Sequence, residues 1–87
     1  MVEKIKFTNK SEKEIEVVME PAAEYFGLAA GETMLIELVK VSNVFNDEFD
    51  MVLESSALII HESRQCDIKI FIDGRLEYFT SPDMPRI

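Results

Sequence analysis

Apolar positions recur at every second residue along most of the chain. In residues 3–8, Ile5 and Phe7 fall on one side and Lys4, Lys6 and Thr8 on the other, the alternation of a half-buried strand. Asn9-Lys10-Ser11 ends it with residues whose side chains bond to nearby backbone and favour turns. The alternation resumes in residues 14–20, with Ile15, Val17 and Met19 inward and Glu14, Glu16 and Glu20 outward. Val18 is the one apolar residue on that outward side. Pro21 then removes a ladder donor and stops the strand. A short piece at residues 25–28 leads into Ala29-Ala30-Gly31-Glu32, where Gly31 supplies the positive φ that a tight turn needs.

The next segment, TMLIELVK at residues 33–40, is apolar on both faces. Met34, Ile36 and Leu38 lie on one face and Leu35 and Val39 on the other, which predicts a central or doubly covered strand. Residues 41–47 break the period and read as the longest loop. Residues 48–54 alternate again, with Phe49, Met51 and Leu53 inward, and residues 57–62 follow Ser55-Ser56. Cys66, Ile68, Ile70 and Ile72 give the cleanest alternation and run into Asp73-Gly74, a strong two-residue hairpin signal, with a return strand over residues 75–79. A helix has little support: the best window, residues 12–26, contains Pro21 and the β-branched EIEVV run. The pattern predicts an all-β fold, an antiparallel β-sandwich of about seven or eight short strands. Residues 1–79 form a single domain in this reading, and residues 80–87, with Pro82 and Pro85, an extended or disordered tail.

Length and composition fit one domain. Eighty-seven residues are too few for two cores, and 47% hydrophobic residues with three Gly and three Pro are enough to order one. Cys66 is the only cysteine, so no intramolecular disulfide forms. The N-terminus lacks the apolar stretch of a signal peptide, and no run approaches a membrane span, which predicts a cytoplasmic protein. Asn9-Lys10-Ser11 matches the N-glycosylation pattern but reads as turn chemistry in that setting.

Three stretches, FTNKSEKEIEVVMEP, EYFGLAAGETMLIEL and IKIFIDGRLEYF, resemble a group of small bacterial β-sandwich proteins of uncharacterised function. The shared features are an N-x-S turn, a strand ending in Glu-Pro, a Gly-Glu turn and a late F-x-D-G hairpin. Relatives of this kind often carry an aromatic after Glu-Pro, where this chain has Ala22-Ala23. The resemblance implies the sandwich fold and brings no activity with it.

Candidate chemistry is sparse. A blue-copper site needs two histidines, and His61 is the only one; a structural zinc site needs four ligands, mostly Cys and His. His61 and Cys66 suggest a base and thiolate, but Cys66 shares the phase of Ile68, Ile70 and Ile72, which predicts a buried and inert thiol. The acids of NDEFD at residues 46–50 lack the spacing and central Gly of an EF-hand. With no Trp and only two Tyr, a sugar-cleaving carboxylate pair has no aromatic platform. These exclusions predict a non-catalytic protein with no metal or cofactor.

Charge gives the remaining clue. The formal net charge is −8 at pH 7, which disfavours nucleic acid and anionic membrane as partners. Residues 26–63 hold seven acids and Lys40 as the only base, so most of the excess sits in the middle of the chain. Alternation places Glu48, Asp50 and Glu54 on one side of a strand, beside Asp47 and Phe45. Phe45 then either anchors a partner or folds back into the core. The expected partner-binding residues are Phe45, Asp47, Glu48, Asp50 and Glu54. The expected role is a protein-binding module docking an acidic face on a basic protein, in its concrete form an immunity or antitoxin-like inhibitor covering the cationic active site of a nuclease toxin. The alternative is a structural sandwich that self-associates, for example as a homodimer, through a strand edge.

Overall fold

The computed structural model describes residues 2–40, 50–62 and 66–80, which form eight strands and no helix. These are β1 (Val2–Thr8), β2 (Ile15–Glu20), β3 (Glu24–Leu28), β4 (Thr33–Lys40), β5 (Asp50–Glu54), β6 (Ala57–His61), β7 (Cys66–Ile72) and β8 (Arg75–Phe79). They make two four-stranded sheets, here sheet A with order β1-β4-β7-β8 and sheet B with order β3-β2-β6-β5. The all-β sandwich read from the alternation is the observed architecture.

Each sheet turns the apolar side of its alternation to the other. Sheet A contributes Met34, Ile36 and Leu38 of β4, Ile68, Ile70 and Ile72 of β7, and Tyr78 of β8. Sheet B contributes Ile15, Val17 and Met19 of β2, Leu28 of β3, and Leu58 and Ile60 of β6. Full burial of each aliphatic side chain stabilises by about 1.5–3 kcal/mol, so these rows are the main favourable term in folding. The two-faced TMLIELVK strand is central, between β1 and β7, as its composition requires.

Turn chemistry sets the connections. Asp73 and Gly74 both take positive φ, at 49° and 84°, the conformation a two-residue hairpin between right-twisted strands demands. Gly31, at φ 85°, turns the chain between β3 and β4. Asn9 is 1% exposed and links the sheets. Its Nδ2 donates to the carbonyls of Lys13 (2.8 Å) and Leu28 (2.9 Å), and its Oδ1 accepts from the Ser11 amide (3.0 Å) and hydroxyl (2.7 Å). The apparent glycosylation pattern is therefore a buried turn whose amide is fully engaged.

Three expectations need correction. The sandwich is not wholly antiparallel: β2 and β6 pair in parallel, while the five other pairings among the described residues are antiparallel. Leu53, read as inward, is 61% exposed, because β5 is the edge of sheet B and its far end overhangs the core that covers Leu58. Thr80, assigned to the tail, is tied to β7 just past the end of β8: its amide donates to the Ile68 carbonyl (2.9 Å) and its Oγ1 accepts from the Ile68 amide (2.8 Å). The predicted loop at residues 41–47, the inward Phe49 and the tail beyond Thr80 lie outside the described residues, as does the side chain of Cys66.

A second polar tie joins the sheets. The Tyr78 hydroxyl of β8 donates to Glu62 Oε1, just past β6, at 2.8 Å. Burial first, and then the bond to the Glu62 carboxylate, hold the phenol well above the ordinary tyrosine pKa. Above about pH 10 the unfolded chain has lost this proton while the folded chain keeps it, so stability falls as pH rises through that range. Tyr78→Phe is expected to make the alkaline decline in Tm shallower than in the native protein between about pH 9.5 and 11.5. Equal declines in thermal melts would remove Tyr78 as its source.

Candidate binding face

The outward side of sheet B collects residues that lie far apart in sequence. Pairing sets Val18 opposite Tyr25 on one side and Ile59 on the other, and Ile59 opposite Val52. The result is an apolar row, Tyr25–Val18–Ile59–Val52, that crosses all four strands on the solvent side. Tyr25 is 70% exposed and Val52 38% exposed, with Val18 and Ile59 half-buried.

Carboxylates wall this row on both sides. Along one side Glu16 stands beside Ala57, and Ala57 beside Glu54; along the other Glu20 stands beside His61, and His61 beside Asp50. Glu14 adds a fifth carboxylate at the β3 edge. A Cβ on Gly27 would stand 2.7 Å from the Glu14 carboxyl carbon, so that group lies against bare glycine backbone. No Lys or Arg alternates onto this side of β2, β3, β5 or β6.

Of the expected binding residues, Asp50 and Glu54 lie on this face, exposed, at the two ends of β5. Phe45, Asp47 and Glu48 lie outside the described residues. The face gains Glu16, Glu20, Tyr25, Val18 and Ile59, which the sequence reading did not group with them. One signal was available: Val18 is an apolar residue on the wet side of an otherwise regular strand.

The outward side of sheet A is different. It carries Lys4 and Lys6 of β1 and Lys69 of β7, with Glu37 3.9 Å from Lys4. Its own apolar row runs from Leu35 to Phe71 to Leu76, and Phe79 is a further exposed aromatic. A depression of about 310 Å³ lies there, lined by Thr33, Leu35, Glu37, Phe71, Asp73 and Gly74. The sheet A face thus mixes lysines with carboxylates, Asp67 and Asp73 among them, whereas the strands of sheet B present no Lys or Arg.

His61 is exposed beside Asp50 on the sheet B face. Among the described residues no three His, Cys, Asp or Glu side chains are placed to hold a metal ion. No described helix is long and apolar enough to cross a membrane. In comparisons with known proteins the chain matches no family model, no curated protein and no solved structure.

Proposed function

We propose that the protein is a non-catalytic binding module that docks the outward face of sheet B on a basic protein partner. One observation carries the reading: an apolar row walled on both sides by carboxylates, with no cation alternating onto that face. Charge of one sign around an apolar strip steers a cationic partner into contact, and the strip supplies the desolvated centre where binding energy concentrates. Tyr25 is the natural anchor, a large side chain with one polar end held on a rigid strand. In concrete form the partner is an enzyme with a cationic active site, such as a nuclease toxin, and the protein is the inhibitor that covers it. The partner replaces Lys and Arg contacts to phosphate with contacts to Glu16, Glu20, Asp50 and Glu54.

Affinity capture with matched variants tests this. The native chain and a Glu3→Lys control are expected to retain the same basic protein, with pI above about 9. Glu16→Lys/Glu54→Lys, which reverses two charges on the face, is expected to lose it. The association rate of the captured pair should fall about tenfold or more from low to physiological salt. Retention of a neutral protein, or equal retention by the reversed variant, would overturn the reading.

A further inference from the structure

We propose that the free edge of β5 takes up an extended, basic segment of the partner protein by strand addition, so that the segment becomes a further strand of sheet B. The inference rests on reading the sheet B face as a docking surface for a basic protein. It names the part of that protein which is recognised and the backbone groups that hold it.

Hydrogen-bond direction along β6 fixes which groups of β5 are free. The Ser56 carbonyl accepts from the Glu16 amide (2.9 Å), and the Glu62 amide donates to the Glu20 carbonyl (2.7 Å), so the even-numbered residues flanking β6 turn toward β2. Ala57, Ile59 and His61 therefore turn toward β5, where their register partners are Glu54, Val52 and Asp50. Met51 and Leu53 are left with N–H and C=O groups directed away from β6, at the edge of the sheet among the described residues. Such a row of backbone donors and acceptors is a template for another strand.

Side chains on β5 specify what pairs there. Asp50 and Glu54 are exposed on the outward side, with Val52 between them. Lys or Arg directly opposite each carboxylate stabilises the added pair, and a β-branched residue opposite Val52 extends the apolar row. On the inward side Leu53 is 61% exposed although it shares the phase of the core. Apolar residues opposite Met51 and Leu53 cover that side. The segment that fits β5 is thus five residues long, basic at both ends, apolar at its second and fourth positions and β-branched in the middle. In this mode main-chain bonds supply affinity and alternate side chains supply selection.

The other edge strands fit a basic segment less well. β1 carries Lys4 and Lys6 on its outward side, and β3 carries Tyr25 and Gly27 there. β8 has a register irregularity opposite Ile70 and Phe71, the kind of feature that bends an edge away from pairing. The charges of β5 also reject a second copy of this chain. Antiparallel pairing of β5 with itself about Val52 would set Asp50 against Glu54 at both ends, and like charges directly opposite destabilise a ladder.

Amide chemical shifts of the isotope-labelled full chain, titrated with the capped peptide Ser-Lys-Val-Thr-Val-Lys-Ser, test this without the partner in hand. Saturable shifts centred on Met51 and Leu53 are expected, with slowed exchange of both amides and a Kd of about 1 mM or tighter. The counterpart peptide with Glu for both Lys should leave those amides in place. Asp50→Lys/Glu54→Lys should exchange the preference and take the Glu peptide instead. Leu53→Pro, which removes a free donor at a position an edge strand tolerates, should take neither peptide. Thermal melts check that both variants fold, and the charge exchange alone decides the matter if the proline variant does not. The inference is overturned if the Lys peptide moves no amide up to about 5 mM, if both peptides bind the native chain equally, or if the shifts centre on Val18 and Tyr25. The protein retained in affinity capture separates the two readings: retention by folded Leu53→Pro equal to that by the native chain would remove strand addition and leave the docking face standing.

Discussion

Asn9→Ala is expected to lower the unfolding free energy by about 2–4 kcal/mol, a drop in Tm of about 10–25 °C for a domain of this size. The side chain is 1% exposed and uses both amide protons and its carbonyl oxygen. Truncation leaves the Leu28 carbonyl without its side-chain donor at a buried position, and such losses cost more than the bond itself contributed. It also releases Ser11, whose amide and hydroxyl both donate to Asn9 Oδ1. Ser11→Ala, which removes only an exposed hydroxyl, should cost about 1 kcal/mol. Thermal and urea melts of the two variants give the comparison. An Asn9→Ala protein as stable as Ser11→Ala would mean that the link between the sheets contributes little.

The second large effect is a contrast between neighbours on β6. Ile60 is fully buried against the core, whereas Ile59 points outward in the apolar row of sheet B. Ile60→Ala is expected to cost about 2–5 kcal/mol through lost burial and the cavity left behind. Ile59→Ala, on a half-buried site that water can refill, should cost well under half of that in urea unfolding. In binding the order reverses. Ile59→Ala should weaken capture of the basic partner, and Ile60→Ala should not, provided measurements are made where both variants are folded. Equal effects of the two substitutions on both readouts would show that the row is structural only.

Local pattern carried much of this fold. The alternation through Ile68, Ile70 and Ile72, the turn at Asp73-Gly74 and the two-faced TMLIELVK strand each specify their own structure, because side-chain period and backbone dihedrals are local properties. Pairing direction is not local. Residues 15–20 alternate identically whether β6 runs with them or against them, so the parallel pair left no trace in the sequence. Leu53 fails for a related reason. Alternation says which side a residue is on, but whether that side is covered depends on where the opposing sheet ends.

The binding face was legible only in part. Asp50 and Glu54 could be placed together because they share a strand and a phase. Glu16 and Glu20 could not be joined to them, since the connection runs through β6 and the parallel register that sets Glu16 beside Ala57 and Glu20 beside His61. Reading charge along the chain located the excess in residues 26–63, yet three acids of the face, Glu14, Glu16 and Glu20, come from before that segment. Folding redistributed the asymmetry from a stretch of sequence to a side of the molecule.

The parallel pairing of β2 with β6 has a consequence for how the chain reaches its native state. All of β3, β4 and β5 lies between the two strands, so their contact requires closure of a long loop before any bond rewards it, which slows folding relative to a meander of adjacent hairpins. During synthesis from the N-terminus, β2 can pair at once with β3 on one side. Its other edge stays open until residue 61 has emerged, and an open edge on an apolar strand is where nascent chains mispair.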